Sequence, residues 1–87
     1  MSYRIELSRE AARYLRHLSR SDQERMARRI AQIATDPYGP YTKPLTNLAG
    51  CRAARVGGYR IIFTVDDKAQ VVHISDIGPR GQVYRRV

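Results

Sequence analysis

Arginine is the residue this sequence offers for chemistry. The stretch RAARVGGYRIIF, residues 52–63, places Arg52, Arg55 and Arg60 in what reads as two strands around a tight turn. Lys43 lies upstream, and Arg80 and Tyr84 follow a Gly-Pro pair near the end of the chain. A guanidinium is a planar fork that grips phosphate or carboxylate through two hydrogen bonds and stacks on bases. With a pKa above ~12 it keeps its charge and is a poor proton acceptor. Such residues suit the holding of an anion and the stabilisation of negative charge that develops during a reaction.

Other chemistry has few candidates. His17 and His73 are the two histidines and Cys51 is the single cysteine, all far apart in sequence. No metal site and no cofactor is expected from that set, and a lone cysteine forms no internal disulfide. Asp66-Asp67 has the look of a turn, not of a carboxylate pair for acid–base work. His73, between Val72 and Ile74, reads as a partly buried, hydrogen-bonded strand residue, and His17 as a solvated one.

The charge balance supports an anionic partner. Sixteen Lys and Arg stand against eight Asp and Glu, giving net +8 and a pI of about 10.4, and fourteen of the sixteen are arginine. Net charge of this size speaks to partners: nucleic acid, an acidic protein, or both. The arginines at 9, 13, 16, 20, 25, 28 and 29 solvate helix faces and together suit RNA phosphates, with salt-dependent contacts. At 87 residues the chain is expected to form one domain over 1–87. No run of 18 apolar residues and no signal-like start appear, so the expectation is a cytoplasmic protein with no membrane role.

The elements that must position these residues follow from periodicity. YRIEL alternates, which predicts a short strand. Ser8 is then a helix N-cap, and Ala11, Tyr14, Leu15 and Leu18 make an apolar stripe over a first helix, Ser8 to Leu18. Ser21 and Glu24 have capping-box spacing, and Met26, Ile30 and Ile33 carry a second helix that Pro37 stops near Thr35. The segment DPYGPYTKPLTNLAG holds three prolines and predicts an irregular connector, long enough to contact something. Cys51–Val56, Tyr59–Asp66 and Gln70–Ile77 are strands of a meander, with Gly57-Gly58 as a two-residue hairpin turn. The order β-α-α-β-β-β predicts an α+β domain, a helix hairpin on one face of a small, mostly antiparallel sheet.

Alternation then sorts the arginines. Ile61, Phe63 and Val65 form the core set of their strand, so Arg60 points to the uncovered face. Arg52 and Arg55 are three apart, and a regular strand sends them to opposite faces.

These features together resemble the RelE/ParE toxin superfamily of bacterial toxin–antitoxin modules, on the RelE side. RVGGYRIIF is similar to that family's R-V-G-x-Y-R segment, and SDIGPRGQVYRR to its closing I-x-H-R-x-x-[VA]-Y pattern. The resemblance runs over essentially the whole chain. It implies a metal-independent endoribonuclease that cuts messenger RNA in the ribosomal A site by attack of the 2′-hydroxyl on the scissile phosphate. In that scheme Arg60 holds the phosphate, Arg80 stabilises or protonates the leaving oxygen, and Tyr84 stacks on or orients a base. Arg52, Arg55 and Lys43 are implied substrate-binding cations. The implied partners are the ribosome, its messenger RNA and a cognate, acidic antitoxin in a heteromeric complex. The sequence departs from the pattern at Pro79, where many relatives carry His, and in Arg52-Ala53-Ala54-Arg55, where a basic-x-basic pair is usual. The alternative is a ParE-like toxin that inhibits DNA gyrase without cutting RNA, or more broadly a basic nucleic-acid-binding module.

Overall fold

The structure is a computed structural model, and it describes residues 2–79. The chain runs β1 (Arg4–Leu7), α1 (Arg9–Arg16), α2 (Arg20–Thr35), β2 (Thr42–Pro44), β3 (Arg52–Val56), β4 (Tyr59–Asp66) and β5 (Val71–Pro79). The strands form one sheet in the order β1-β5-β4-β3-β2, in which β1 runs parallel to β5 and all other pairs are antiparallel. This is the expected α+β architecture, with one strand more than the sequence suggests: β2, inside the proline-rich connector.

Local chemistry sets the helix ends. Ser8 Oγ accepts from Ala11 N at 3.0 Å and donates to the Ser75 carbonyl at 2.8 Å, so one hydroxyl caps α1 and ties its start to β5. The second cap sits at Ser19, two residues before the expected Ser21: Ser19 Oγ accepts from Asp22 N at 3.2 Å. Starting α2 that early leaves a short corner, and Gln23 Nε2 reaches back across it to the Leu15 and Arg16 carbonyls. Those carbonyls lie at the end of α1, where the regular helical bonds run out, and Leu15 O also accepts from Leu18 N at 3.2 Å.

The helices cover one sheet face. Ala11, Met26 and Ile33 pack with Ala54, Val56, Ile61, Phe63, Val72, Ile74 and Ile77, all buried, and Tyr3, Ile5, Tyr14, Leu15, Leu18, Ile30, Tyr59 and Val65 surround them. Burying a side chain such as Phe63, fully enclosed here, is worth roughly 1.5–3 kcal/mol. The expected alternation holds on β4.

On β5 the alternation breaks. Phe63 pairs with Ile74 and Ile62 with Asp76, so Ser75 is an extra residue, a bulge between the two pairs. Strict alternation from Val72 and Ile74 would turn Asp76 into the core and Ile77 out of it. The bulge reverses that choice: Ile77 is fully buried, and Asp76 lies beside Ile62 on the other face. Leaving an unpaired carboxylate in the core would cost several kcal/mol. The β3–β4 turn is as expected, with φ +57° at Gly57, the first central position, where a type II′ turn calls for glycine.

Candidate functional site

Arg55 and Arg60 are direct partners across the β3–β4 ladder. Both side chains therefore stand on the face turned away from the helices, adjacent to one another. Arg60 is half-buried and Arg55 exposed. Alternation in β3 forces Arg55 to this face because Ala54 and Val56 go into the helix-side core.

Edge strand β2 adds a third cation. Lys43 pairs with Ala53, which precedes Ala54 and Arg55 on β3. A shallow groove of about 140 Å³ is lined by Lys43, Arg55 and Arg60 together with Tyr41, Ala53 and Ala54. Beside it the sheet carries a small apolar cluster, buried Ala53 and Ile62 with Leu45 and Cys51 packed on them. That cluster fixes β2 and the start of β3, and so the position of Lys43, without contributing chemistry of its own.

Arg52 goes elsewhere. It points to the helix side of the sheet, where its Nε donates to the Pro37 carbonyl at 3.1 Å and its Nη2 to Thr42 Oγ1 at 2.9 Å. Its guanidinium also lies 5.0 Å from the centre of the Tyr38 ring. Arg52 thus fastens the connector to β3, and the structure does not bring it to the groove of Arg55, Arg60 and Lys43. Arg80 and Tyr84, the remaining site residues expected from the sequence, lie outside the described residues.

The far end of the same face is less cationic. His73 pairs with Thr64, exposed, with Nδ1 3.2 Å from Glu6 Oε1. It is more exposed than the sequence suggests, because β1 pairs along that edge and leaves Glu6 beside it. His17 Nδ1 lies 2.8 Å from the Arg13 carbonyl at the end of α1. Among the described residues, no three His, Cys, Asp or Glu side chains gather as a metal ion would require.

The connector is pinned through a shared carboxylate. Asp67, in the β4–β5 turn, accepts from the Tyr3 hydroxyl and from the Tyr38 hydroxyl, each at 2.6 Å. These two hydrogen bonds hold the Asp67 carboxyl below its ordinary pKa. The reciprocal effect pushes Tyr38 up to about 12 and raises Tyr3. At the other end of the sheet the Tyr59 hydroxyl donates to Asp22 Oδ2 at 2.8 Å, which raises Tyr59 in the same way.

Two residues near the groove were not singled out as site residues by sequence reasoning. Asp76 reaches this face only because of the Ser75 bulge, and it is the carboxylate nearest to Arg60 in register among the described residues. Tyr41, exposed, lines the groove and stacks under the Arg29 guanidinium at 4.4 Å. Its place in the long proline-rich connector, a segment expected to contact something, was the signal for it in the sequence.

Comparison with known proteins agrees with this fold. The family model described as the ParE toxin of the type II toxin–antitoxin system parDE matches residues 5–84. Similar solved structures include a chain of the archaeal RelE-RelB complex from Pyrococcus horikoshii OT3, at 25% identity and TM-score 0.79, covering 95% of this chain and 100% of that one. A chain of the toxin–antitoxin complex RelBE2 from Mycobacterium tuberculosis is 28% identical at TM-score 0.78, covering 92% of this chain and 100% of that one. The YoeB/ParE toxin from Agrobacterium tumefaciens, at 15% identity, shares the fold at TM-score 0.77 over 88% of this chain and 98% of its own. No curated protein matches the chain in sequence. The protein is thus a toxin of the RelE/ParE superfamily, belonging to the ParE toxin family of type II toxin–antitoxin systems.

Proposed function

We propose that this toxin is a ribosome-dependent endoribonuclease of the RelE kind, with Lys43, Arg55 and Arg60 as the described part of its phosphate cradle. The observation that carries the reading is the direct pairing of Arg55 with Arg60 on the helix-free face, beside a groove that Lys43 also lines. Two arginines adjacent on one face offer an anion two planar forks of donors, which is what a phosphate contact uses.

In the proposed reaction the 2′-hydroxyl oxygen attacks the phosphorus and the bond to the 5′-oxygen breaks. The products are a 2′,3′-cyclic phosphate and a 5′-hydroxyl. Arg60, with Arg55, holds the non-bridging oxygens and stabilises the charge they gain in the transition state. Neither arginine takes the 2′-proton at neutral pH. Asp76 is the described side chain of suitable type nearest to Arg60 in register, and we assign it as proton acceptor. Arg80 is assigned to the leaving oxygen and Tyr84 to a base of the codon. Arg52 serves the site at one remove, by anchoring the connector that carries Tyr41 and Lys43.

The cellular setting follows from the same reading. The relatives from P. horikoshii and M. tuberculosis were solved in toxin–antitoxin complexes. A cognate antitoxin with an acidic segment would complement the +8 charge of this chain, which acts on ribosomes in the cytoplasm.

A second reading has its own support. The matching family model is that of ParE, and Pro79 stands where many RelE-like sequences have His. That reading makes the protein a gyrase inhibitor that leaves RNA intact. A translation extract decides between them, with primer extension on a reporter messenger RNA and a parallel supercoiling assay. Breaks at codon positions that require ribosomes, and that vanish in Arg60→Ala, support the nuclease. Intact messenger RNA with blocked supercoiling overturns it.

A further inference from the structure

A second cationic cleft lies around the edge of the molecule from the first. Arg25, Arg28 and Arg29 of α2, with Gln32, face Val56, Gly57 and Tyr41 across an open space of about 350 Å³. Positions i, i+3 and i+4 put the three guanidinium stems on one helix face, with Cβ atoms ~5–6 Å apart. Arg25 spans the cleft: a Cβ at Gly57 would come within 2.5 Å of its Nη2, so the turn glycine makes room for the guanidinium.

The three charges are poorly compensated. Among the described residues the carboxylate within ion-pair distance of them is Asp22, 3.6 Å from Arg25 Nη1 and half-buried, while Glu24, one turn before Arg28 on the same helix, makes no such contact. Arg29 Nη1 donates to Gln32 Oε1 at 2.7 Å, and its Nε is buried with no hydrogen-bond partner among the described residues. Gln32 and Tyr41 therefore hold Arg29 in place without neutralising it. The lining offers no row of apolar anchors such as an amphipathic helix needs in a groove. It offers a charged track and an aromatic ring, the pairing by which proteins follow a single nucleic-acid strand.

Tyr41 joins the two sites. Its ring borders this cleft on one side and the groove of Lys43, Arg55 and Arg60 on the other. We propose that Arg25, Arg28 and Arg29 form a second phosphate-binding site, and that one single-stranded RNA runs from it over Tyr41 onto Lys43, Arg55 and Arg60. Phosphates outside the cleaved step lie in the α2 cleft, and a base stacks on Tyr41 at the ridge. The inference rests on the reading of the first groove as an RNA site. It adds a footprint that extends several nucleotides beyond the scissile phosphate.

The test is binding of a short fluorescein-labelled single-stranded RNA to the full chain, followed by anisotropy over a range of salt concentrations. The double variant Arg25→Ala/Arg28→Ala is expected to lose at least tenfold in affinity. Its plot of log K against log salt should be shallower by about 1.4, two cations at about 0.7 each for a single strand. Arg25→Lys/Arg28→Lys keeps the charge and should stay near the wild type, which separates charge from any effect on the fold. Tyr41→Ala is expected to weaken binding several-fold and Tyr41→Phe to leave it unchanged. Wild-type affinity and salt slope in the double alanine variant would overturn the proposal. So would unchanged RNA binding coupled to lost binding of the acidic antitoxin, which would make the cleft a protein-docking surface. Wild-type RNA binding sensitive to Arg25 and Arg28, without cleavage in the translation extract, would sink the nuclease reading alone.

Discussion

Arg55 sits directly opposite Arg60 in the β3–β4 ladder, and both side chains belong to the helix-free face of the sheet. Opposed like charges weaken a strand pair by roughly 0.2–1 kcal/mol. Arg55→Thr should therefore raise stability by about 0.5 kcal/mol in urea denaturation while lowering RNA cleavage. A variant less stable than the wild type, or one fully active, would show that the pair is not kept for an anion.

Arg60 tests the need for a fork against the need for charge. Arg60→Lys retains the cation but loses bidentate geometry. Cleavage in the translation extract should fall by about 10²–10³ in Arg60→Ala, the loss typical of one transition-state donor. Arg60→Lys should recover part of it. Equal activity of both variants would mean that Arg60 contributes shape alone.

Arg52 should behave as a structural residue. Removing it breaks its hydrogen bonds to the Pro37 carbonyl and Thr42 Oγ1 and its contact with the Tyr38 ring. Hydrogen bonds from charged donors are worth about 1.5–3 kcal/mol when shielded, and partial exposure brings the expected cost of Arg52→Ala to about 1–2 kcal/mol. Urea unfolding measures it. Arg55→Ala, at an exposed position, should cost no stability, and that contrast between neighbouring arginines is the outcome to look for.

The Tyr3–Asp67–Tyr38 linkage predicts the limits of stability with pH. Asp67 is depressed in the folded protein, so its contribution is present above pH 3.8 and fades as pH falls through its lower folded value. Tyr38 is raised to about 12, so its contribution is complete below pH 10 and disappears as pH rises from 10 towards 12. Thermal melts should show a fall in Tm across that alkaline window that is smaller in Tyr38→Phe. An unaltered alkaline limb in that variant would assign it to other groups, Tyr3 and Tyr59 being the next candidates.

The bulge on β5 carries a prediction of its own. Deleting Ser75 removes the extra residue and leaves a regular strand with the native facing, Ile74 inward, Asp76 outward and Ile77 inward. Circular dichroism should show that the deletion variant folds, because no carboxylate is turned into the core. Ser75→Ala keeps the extra residue and should fold, losing about 1 kcal/mol with the hydrogen bond to the Ile62 carbonyl. A deletion variant that does not fold would mean that the bulge itself, through the Ser8 hydrogen bond to the Ser75 carbonyl, is needed to hold β5.

What the sequence determined by itself was local. Ser8 before an apolar stripe, Pro37 after one, and Gly57-Gly58 between two alternating runs encode their own geometry, because caps, helix breaks and tight turns depend on a few adjacent residues. Alternation also sufficed to send Arg60 away from Phe63 and Ile61. The sequence left open which of Arg52 and Arg55 would accompany it, and which face Asp76 would take. Only the tertiary structure decided these, through contacts between distant segments: Arg52 is claimed by the Pro37 carbonyl and Thr42, and the preference for burying Ile77 over Asp76 inserts a bulge. Pairing of Thr42–Pro44 with β3 likewise turned a proline-rich connector into the edge strand that carries Lys43 to the groove. A strand edge has no local signature when its partner is the sheet itself, since its hydrogen bonds exist only once that sheet has formed.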